Sequence, residues 1–155
     1  MPKFIVQEHH ATHLHFDFRL EMDGVLKSWA LPKGPSMNPK DKRLAIMVND
    51  HSLEYGSYEG IIPEGQYGSG AVVTWDDGDY KFLGGDIQDG TIEFVLKGKK
   101  LNGGFVLTKM SGRKKEWLLI KKRDDFAKDD FVMKTRLTPE LRERLKVKVP
   151  PCIAS

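Results

Sequence analysis

The chain has 155 residues, 39% of them hydrophobic and 30% charged, with a net charge of +3. This length fits one domain with a buried core, and this composition excludes disordered and fibrous proteins. No apolar run reaches the roughly 18 residues of a membrane span, and the N-terminus lacks the apolar stretch of a signal peptide, so we expect a cytoplasmic protein without a membrane partner.

Short strands are predicted along most of the chain. Two-residue alternation between turn residues predicts strands at 4–7, 13–20, 25–31, 43–48, 53–58, 70–75, 79–83, 91–96, 104–109 and 116–121. Turns are predicted at Asp23-Gly24, Asp77-Gly78, Asp89-Gly90 and Asn102-Gly103, with residues 75–80 as a hairpin tip. Strands this closely spaced indicate a barrel or a sandwich.

The predicted strand 13–20 has an unusual polar face. One face carries Leu14, Phe16, Phe18 and Leu20; the other carries His13, His15, Asp17, Arg19 and Glu21. His15 and Asp17 leave the same face within reach of one ion, and His9 upstream is the candidate third ligand. His10 and His13 are interpreted as structural residues. Two imidazoles and one carboxylate suit a divalent transition metal that keeps open positions for substrate.

The residues leave two metal chemistries open. His-x-Asp followed by a distant histidine, here His51, is also the pattern of non-haem iron oxygenases. Anion-binding side chains favour another reading: Arg19 shares the ligand face, Lys33 lies in the proline-rich loop 32–39, and Arg43 opens the next strand. Cations that converge with a metal stabilise a phosphoryl group in transit. With a single carboxylate available, a one-metal phosphoesterase is favoured over a two-metal nuclease.

Residues 97–123 are strongly basic. They hold ten basic residues against Glu116 alone: Lys97, Lys99, Lys100, Lys109, Arg113, Lys114, Lys115, Lys121, Lys122 and Arg123. Such a cluster is either a polyanion-binding surface or a solvated, lysine-rich hairpin.

Two remaining segments have plainer interpretations. Residues 65–70, GQYGSG, lack the Lys-Ser/Thr of a phosphate-binding loop and are predicted to form a barrel turn. Thr138 and Pro139 predict the start of a helix that runs to about Val147. Cys152 is the single cysteine, which excludes an internal disulfide and indicates no catalytic thiol.

Five segments resemble a known family. FIVQEHHATHLHFDFRLE, SWALPKGPS, RLAIMVNDHSLEY, YEGIIPEGQYGSGAV and EWLLIKKRDD resemble, in order, the 3′-phosphoesterase domain of DNA ligase D and its free-standing relatives. The resemblance covers about residues 3–125, and the motif Q-x-H-x5-H-x-D-x-R-L-E is specific. The 155 residues contain no ligase or polymerase module, so the free-standing form is expected.

The resemblance implies a mainly β fold: a compact, single-domain β-barrel over residues 1–155, with short peripheral helices and a C-terminal helix and tail at about 138–155. It implies Mn2+ as cofactor, with Co2+ and similar ions as alternatives. The implied substrates are primer-template 3′ ends in end joining. A terminal ribonucleoside is removed to leave a 3′-phosphate, which is then hydrolysed to a 3′-hydroxyl. A ligase, a polymerase or a Ku-like protein would act in trans.

The resemblance also implies residue roles. His9, His15 and Asp17 would hold the metal, Arg19 and His51 would grip the scissile phosphate, and Gln7, Lys33, Arg43 and Tyr55 would line the site. His51 could alternatively protonate the leaving oxygen, and Tyr55 could contact a 2′-hydroxyl.

The chain departs from the family pattern in two places. Only three residues precede the first predicted strand, where ligase D versions often carry a basic segment that assists catalysis. Asn49 stands where relatives often have an acidic residue. The alternative function is a catalytically weak β-barrel subunit that binds nucleic-acid ends.

Overall fold

The computed structural model describes residues 1–151, so Cys152 and the three residues that follow it lie outside the described residues. Its strands are β1 (Lys3–His10), β2 (Leu14–Met22), β3 (Val25–Leu31), β4 (Lys42–His51), β5 (Gly60–Ile62), β6 (Gly70–Asp86), β7 (Thr91–Gly98), β8 (Asn102–Lys109) and β9 (Glu116–Lys121). A 3-10 helix spans Leu53–Ser57, and helix α1 spans Pro139–Arg144. Neither helix is long and apolar enough to cross a membrane.

Eight antiparallel strands close into a barrel. Their order is β1-β2-β3-β4-β9-β8-β7-β6, and β6 pairs back with β1. The short β5 adds to β6 outside this ring. Closure leaves no free edge among the eight strands, which protects the sheet from pairing with other chains. The predicted mainly β barrel is thus confirmed, and the sandwich is excluded.

Aromatic side chains fill the barrel. Phe18 stacks on Phe94 with ring centroids 5.8 Å apart, and Trp29 meets Trp117 edge-on at 5.8 Å. All four are buried in one hydrophobic cluster, where each contributes roughly 2 kcal/mol of burial free energy. Because the interior is apolar, the polar face of β2 must lie on the outside of the barrel.

The predicted strand 53–58 is wrong. Residues Leu53–Ser57 form a 3-10 helix instead, with the N–H groups of Tyr55 and Tyr58 donating to the carbonyls of Ser52 and Tyr55. The next segment supplies a strand that the sequence pattern missed, β5. The 3-10 helix packs on β1 and β3, where Tyr55 clusters with Ile5 and Leu26, while β5 extends β6. Residues 52–69 are called the cover below.

The predicted hairpin tip at residues 75–80 is also wrong, because β6 runs through it without a break. Gly78 pairs with Phe4 of β1 on one side and with Gly98 of β7 on the other. The turn-forming residue Asp76 stabilises a different turn, the one between β7 and β8. Its carboxylate accepts hydrogen bonds from the N–H groups of Lys99, Lys100 and Leu101.

Of the other three predicted turns, two are confirmed and one is displaced. Asp23-Gly24 forms the β2–β3 turn with φ of 55° and 79°, and Asp89-Gly90 lies in the β6–β7 connection. Asn102-Gly103 is displaced, because β8 already begins at Asn102 and the preceding turn occupies residues 99–101.

Replacing Gly78 by Ala is expected to destabilise the barrel. An added Cβ would lie 2.1 Å from the Lys97 carbonyl oxygen, and this backbone atom cannot yield without disturbing the β6–β7 pairing. We expect a loss of about 2 kcal/mol in the free energy of unfolding, or about 5 °C in Tm. Gly84 is the matched control, since a Cβ there meets nothing within 4 Å. Thermal melts that show equal Tm values for Gly78→Ala and Gly84→Ala would contradict this reading.

The chain after β9 is tied to the barrel end and to the cover. The Glu8 carboxylate accepts from the N–H groups of Arg136 and Leu137 at 2.5 and 2.8 Å. Residues 146–148 pair with Ile61 of β5. The Thr138 hydroxyl caps α1 as predicted, by accepting from Leu141 N–H. The helix ends at Arg144 and not near Val147, because the following residues bond to β5 instead.

Candidate metal centre

Pairing between β1 and β2 assembles the candidate site on the outer face of the barrel. In this register His9 lies opposite His15, and Gln7 lies opposite Asp17. Residues of alternate parity enter the core, so these side chains share the outer face. The cover formed by residues 52–69 lies over this face and leaves His9 and Asp17 only 7% and 6% exposed.

His9, His15 and Asp17 form a compact ligand set. Their candidate ligand atoms all lie within 4.8 Å of one another. The Asp17 Oδ2 atom is 3.5 Å from His9 Nδ1 and 3.3 Å from His15 Nε2. The structure therefore brings together all three residues that the sequence predicted as metal ligands.

Hydrogen bonds prepare both imidazoles for a metal. His9 Nε2–H donates to the Gly68 carbonyl at 2.6 Å, and His15 Nδ1–H donates to the His13 carbonyl at 3.2 Å. With a metal bound, these bonds keep each ring proton on the nitrogen remote from Asp17, so that the lone pair of the nitrogen that faces Asp17 is free for the ion. The donor set thus fits a divalent transition ion, which takes imidazole and carboxylate ligands.

Electrostatics keep the Asp17 carboxylate ionised. Burial raises the pKa of Asp17, but the charge of Arg19 and hydrogen bonds from His15 and His9 reverse this and hold the pKa well below its usual range. For His15, burial lowers the pKa, yet the hydrogen bond and charge of Asp17 raise it above its ordinary value of 6.5. A cation bound at His15 would displace the proton that the imidazole holds because of this raised pKa.

Arg19 links the ligand set to the rest of the site. It is only 2% exposed, and its Nε–H donates to Gln7 Oε1 at 2.7 Å while NH1 donates to Ser28 Oγ at 2.8 Å. Its guanidinium lies 4.8 Å from the ring centroid of Tyr55. NH2 lies 3.5 Å from Asp17 Oδ2. This leaves NH2 as the donor edge that adjoins the ligand set.

His51 packs on the other side of Arg19. Its Nδ1 lies 3.1 Å from Arg19 NH1 and 2.9 Å from the Asn49 carbonyl oxygen. Burial, followed by the charge of Arg19, lowers the pKa of His51 to about 4, so the ring is neutral at pH 7. Asn49 acts here through its backbone, so this contact does not require an acidic side chain. His51 lies outside the ligand set, and the His-x-Asp…His51 triad of an oxygenase does not form.

Gln7 and Tyr55 support Arg19 from the cover. Gln7 Nε2–H donates to the Tyr55 carbonyl at 2.8 Å, which ties the 3-10 helix to β1. The Tyr55 ring meets His51 edge-on at 4.5 Å, and burial raises the pKa of its hydroxyl. Gln7 therefore contacts Arg19, and Tyr55 contacts both Arg19 and His51.

Lys33 and Arg43 are not brought into this network. Lys33 is exposed in the turn after β3. Arg43 shares a strand face with the core residue Ala45 and approaches Asp41 at 3.6 Å. Their roles in the site remain predictions. Of the two histidines interpreted as structural, His10 bonds to the Glu8 carboxylate and His13 is exposed.

Ser28 and Gly68 belong to the site although the sequence analysis did not find them. Ser28 is a buried hydroxyl that accepts from Arg19 and donates to the Leu26 carbonyl. A polar residue between Leu26 and Trp29 in a predicted strand is the one signal that could have indicated it. Gly68 acts through its carbonyl, which no side-chain pattern reveals.

Part of the basic cluster at residues 97–123 is engaged within the protein. Lys121 is buried and donates to Asp124, Lys99 pairs with Asp77, Lys122 with Glu93, and Arg123 with Asp129. Arg113, Lys114 and Lys115 are exposed at the tip of the β8–β9 hairpin. Three of the cations that could meet a polyanion therefore lie together at this tip, and Lys97 on β7 and Lys109 on β8 are exposed as well.

Metal affinity is expected to fall as the pH is lowered. The raised pKa of His15 means that protons compete with the ion at a higher pH than for an ordinary histidine. Below that pKa the affinity should drop by up to about tenfold per pH unit for each proton released. Mn2+ titrations between pH 8 and 5.5 measure this. His51→Ala should leave the profile unchanged, since His51 stays neutral in this window; a flat wild-type profile would exclude proton competition at His15.

Comparisons with known proteins agree with the geometry. Residues 7–109 match the family model described as the DNA ligase D 3′-phosphoesterase domain. The chain is 45% identical over 150 residues to the multifunctional non-homologous end joining protein LigD of Pseudomonas aeruginosa, which covers 92% of this chain and 18% of that protein. It is 46% identical over 118 residues to the multifunctional non-homologous end joining DNA repair protein LigD of Mycobacterium tuberculosis, covering 74% of this chain and 15% of that protein. The chain thus spans less than a fifth of the length of these relatives.

Proposed function

Because the chain belongs to the DNA ligase D 3′-phosphoesterase domain family, we propose that it is a Mn2+-dependent phosphoesterase that processes nucleic-acid 3′ ends in repair by end joining. It removes a 3′-terminal ribonucleoside and converts the remaining 3′-phosphate to a 3′-hydroxyl. The observation that carries the proposal is the His9-His15-Asp17 ligand set beside the NH2 edge of Arg19. A metal site next to a buried guanidinium is suited to a phosphate.

His9 Nδ1, His15 Nε2 and an oxygen of Asp17 would hold the ion. When bound, Mn2+ supplies Lewis-acid stabilisation of phosphate charge and lowers the pKa of a coordinated water. Co2+ and similar ions fit the same donors, because imidazole and carboxylate ligands discriminate weakly between them.

Arg19 and His51 bind the scissile phosphate. Gln7 and Ser28 hold Nε and NH1 of Arg19, so that NH2 points a fixed donor at a phosphate oxygen. His51 Nδ1 lies 3.1 Å from Arg19 NH1 and 2.9 Å from the Asn49 carbonyl oxygen, and a neutral ring can bond only one of them at a time. In the tautomer that binds phosphate, Nδ1 accepts from Arg19 NH1 and gives up the Asn49 carbonyl, while Nε2–H donates to a second phosphate oxygen. A ring with a pKa of about 4 almost never carries a second proton at pH 7, so it has none to give to the leaving oxygen. Phosphate binding is therefore the better role for His51.

Tyr55 is the proposed contact of a ribose. Within residues 1–151 its hydroxyl has no hydrogen-bond partner, while its ring is held between Arg19 and His51. A 2′-hydroxyl next to the bound phosphate would supply that partner. Lys33 and Arg43 remain candidates for contacts to the nucleic acid, and a ligase, a polymerase or a Ku-like protein remains the proposed partner in trans.

The proposal is tested with a 5′-labelled primer that ends in one ribonucleotide, annealed to a longer template. Wild-type protein with Mn2+ should yield a 3′-phosphate product and then a 3′-hydroxyl product, and EDTA should stop both reactions. His15→Ala should be inactive, while His10→Ala should retain activity, since His10 lies outside the ligand set. A primer that is bound but left intact with every metal would reject catalysis and favour the end-binding subunit.

A further inference from the structure

Tyr67 is an aromatic side chain left almost entirely in solvent beside the candidate metal centre. It is 86% exposed, whereas Tyr55 and Tyr58 of the same cover are buried and stacked on each other with centroids 5.7 Å apart. Tyr67 precedes Gly68, whose carbonyl accepts the hydrogen bond from the ligand His9. An exposed ring one residue from a group that contacts a metal ligand is well placed to meet substrate.

The loop that carries Tyr67 is held tightly against the site. Gln66 N–H donates to the Pro63 carbonyl and Ser69 N–H donates to the Gln66 carbonyl, each at 3.2 Å. Gly68 has a φ of +75°, and a Cβ there would come within 3.2 Å of the His9 ring. These contacts fix the backbone on both sides of Tyr67 while its side chain stays free.

Resting on the proposed function, we propose that Tyr67 is a stacking platform for the base of the 3′-terminal nucleoside that the enzyme removes. Exposed aromatic rings bind bases of any sequence through their faces. The terminal base is the easiest to unstack, since it has a neighbour on one side only. Tyr67 thereby acts on binding of the diester substrate and not on the 3′-phosphate, which has lost that nucleoside.

The inference is tested by binding in EDTA, where no turnover occurs. Labelled primer-templates would end in a ribonucleoside with adenine, in an abasic ribose, or in a 3′-phosphate. Wild-type protein should bind the adenine end about tenfold more tightly than the abasic end. Tyr67→Ala should lose this preference, and Tyr67→Phe should keep it. Phe126→Ala, which removes another exposed aromatic ring outside the site, should behave as wild type.

Kinetics provide the second measurement. With Mn2+, Tyr67→Ala should raise KM for the ribonucleoside-ended primer about tenfold and leave kcat and KM for the 3′-phosphate primer unchanged. Equal wild-type affinity for the adenine and abasic ends would overturn the inference, as would a preference that survives in Tyr67→Ala. An equal loss on the 3′-phosphate end would also overturn it, since the ring would then contact the primer. Absence of turnover on every substrate would reject the proposed function, while the binding experiment would still decide the role of Tyr67.

Discussion

Asp17→Asn should abolish Mn2+ binding and lower turnover on the order of 10³-fold. Asparagine has nearly the same shape but lacks the negative charge that balances the ion beside His9 and His15. The variant also leaves the buried Arg19 without its carboxylate, which should cost about 3 kcal/mol in the free energy of unfolding. Mn2+ titration followed by electron paramagnetic resonance, single-turnover assays and urea melts measure the three effects.

Asp79→Asn is the control for this variant. It removes a carboxylate that pairs with Lys3 on the barrel surface, outside the ligand set. Such an exposed pair contributes less than about 1 kcal/mol, so metal binding and turnover should match wild type. Asp17→Asn with full Mn2+ affinity would show that the carboxylate is not a ligand.

Arg19→Lys should lower kcat about 10²- to 10³-fold and leave Mn2+ binding largely intact. Lysine keeps the positive charge beside Asp17 but cannot replace the guanidinium, which bonds Gln7 and Ser28 and still has NH2 to offer to a phosphate oxygen in the proposed role. Turnover of a 3′-phosphate primer and Mn2+ affinity, measured on the same preparation, separate this role from that of Asp17.

Two further variants help to interpret the loss of kcat in Arg19→Lys: one removes the charge, and the other is a surface control. Arg19→Ala should also destabilise the fold by about 3 to 5 kcal/mol, because it leaves Asp17 as a buried charge without its cationic partner. Arg113→Lys, at the exposed hairpin tip, should change neither kcat nor stability. If Arg19→Lys kept wild-type kcat, the guanidinium would not be the group that binds the scissile phosphate.

The alternating pattern of the sequence predicted the part of the fold that builds the site. Strands β1 to β4 follow from period-two alternation, and the spacing of His15 and Asp17 predicted their common face. His9 joins them through the pairing of β1 with β2. The alternating pattern did not predict that β6 continues through residues 75–80. Asp76 and Gly78 have turn composition, yet the first bonds the β7–β8 turn and the second admits two neighbouring backbones. These are contacts between distant segments, which local propensity does not encode.

The site was predicted where side chains supply the chemistry and missed where the backbone does. The carbonyl of Gly68 and the carbonyl of Asn49 orient His9 and His51 only because the cover and β4 bring them there. For Arg43, the family motif and its place at the start of a strand suggested an anion-binding role, and this role stays a prediction. Strand parity places its side chain on the face shared with Ala45, where it approaches Asp41.

The most direct test of the metal centre measures turnover of a 3′-phosphate primer as a function of Mn2+ bound per chain. In wild-type protein, turnover should rise in proportion to occupancy, saturate at a single ion, and return to zero when EDTA removes that ion. Asp17→Asn should show neither binding nor turnover. Full turnover by metal-free protein, or by Asp17→Asn without bound Mn2+, would contradict the assignment of His9, His15 and Asp17 as the metal site of a phosphoesterase.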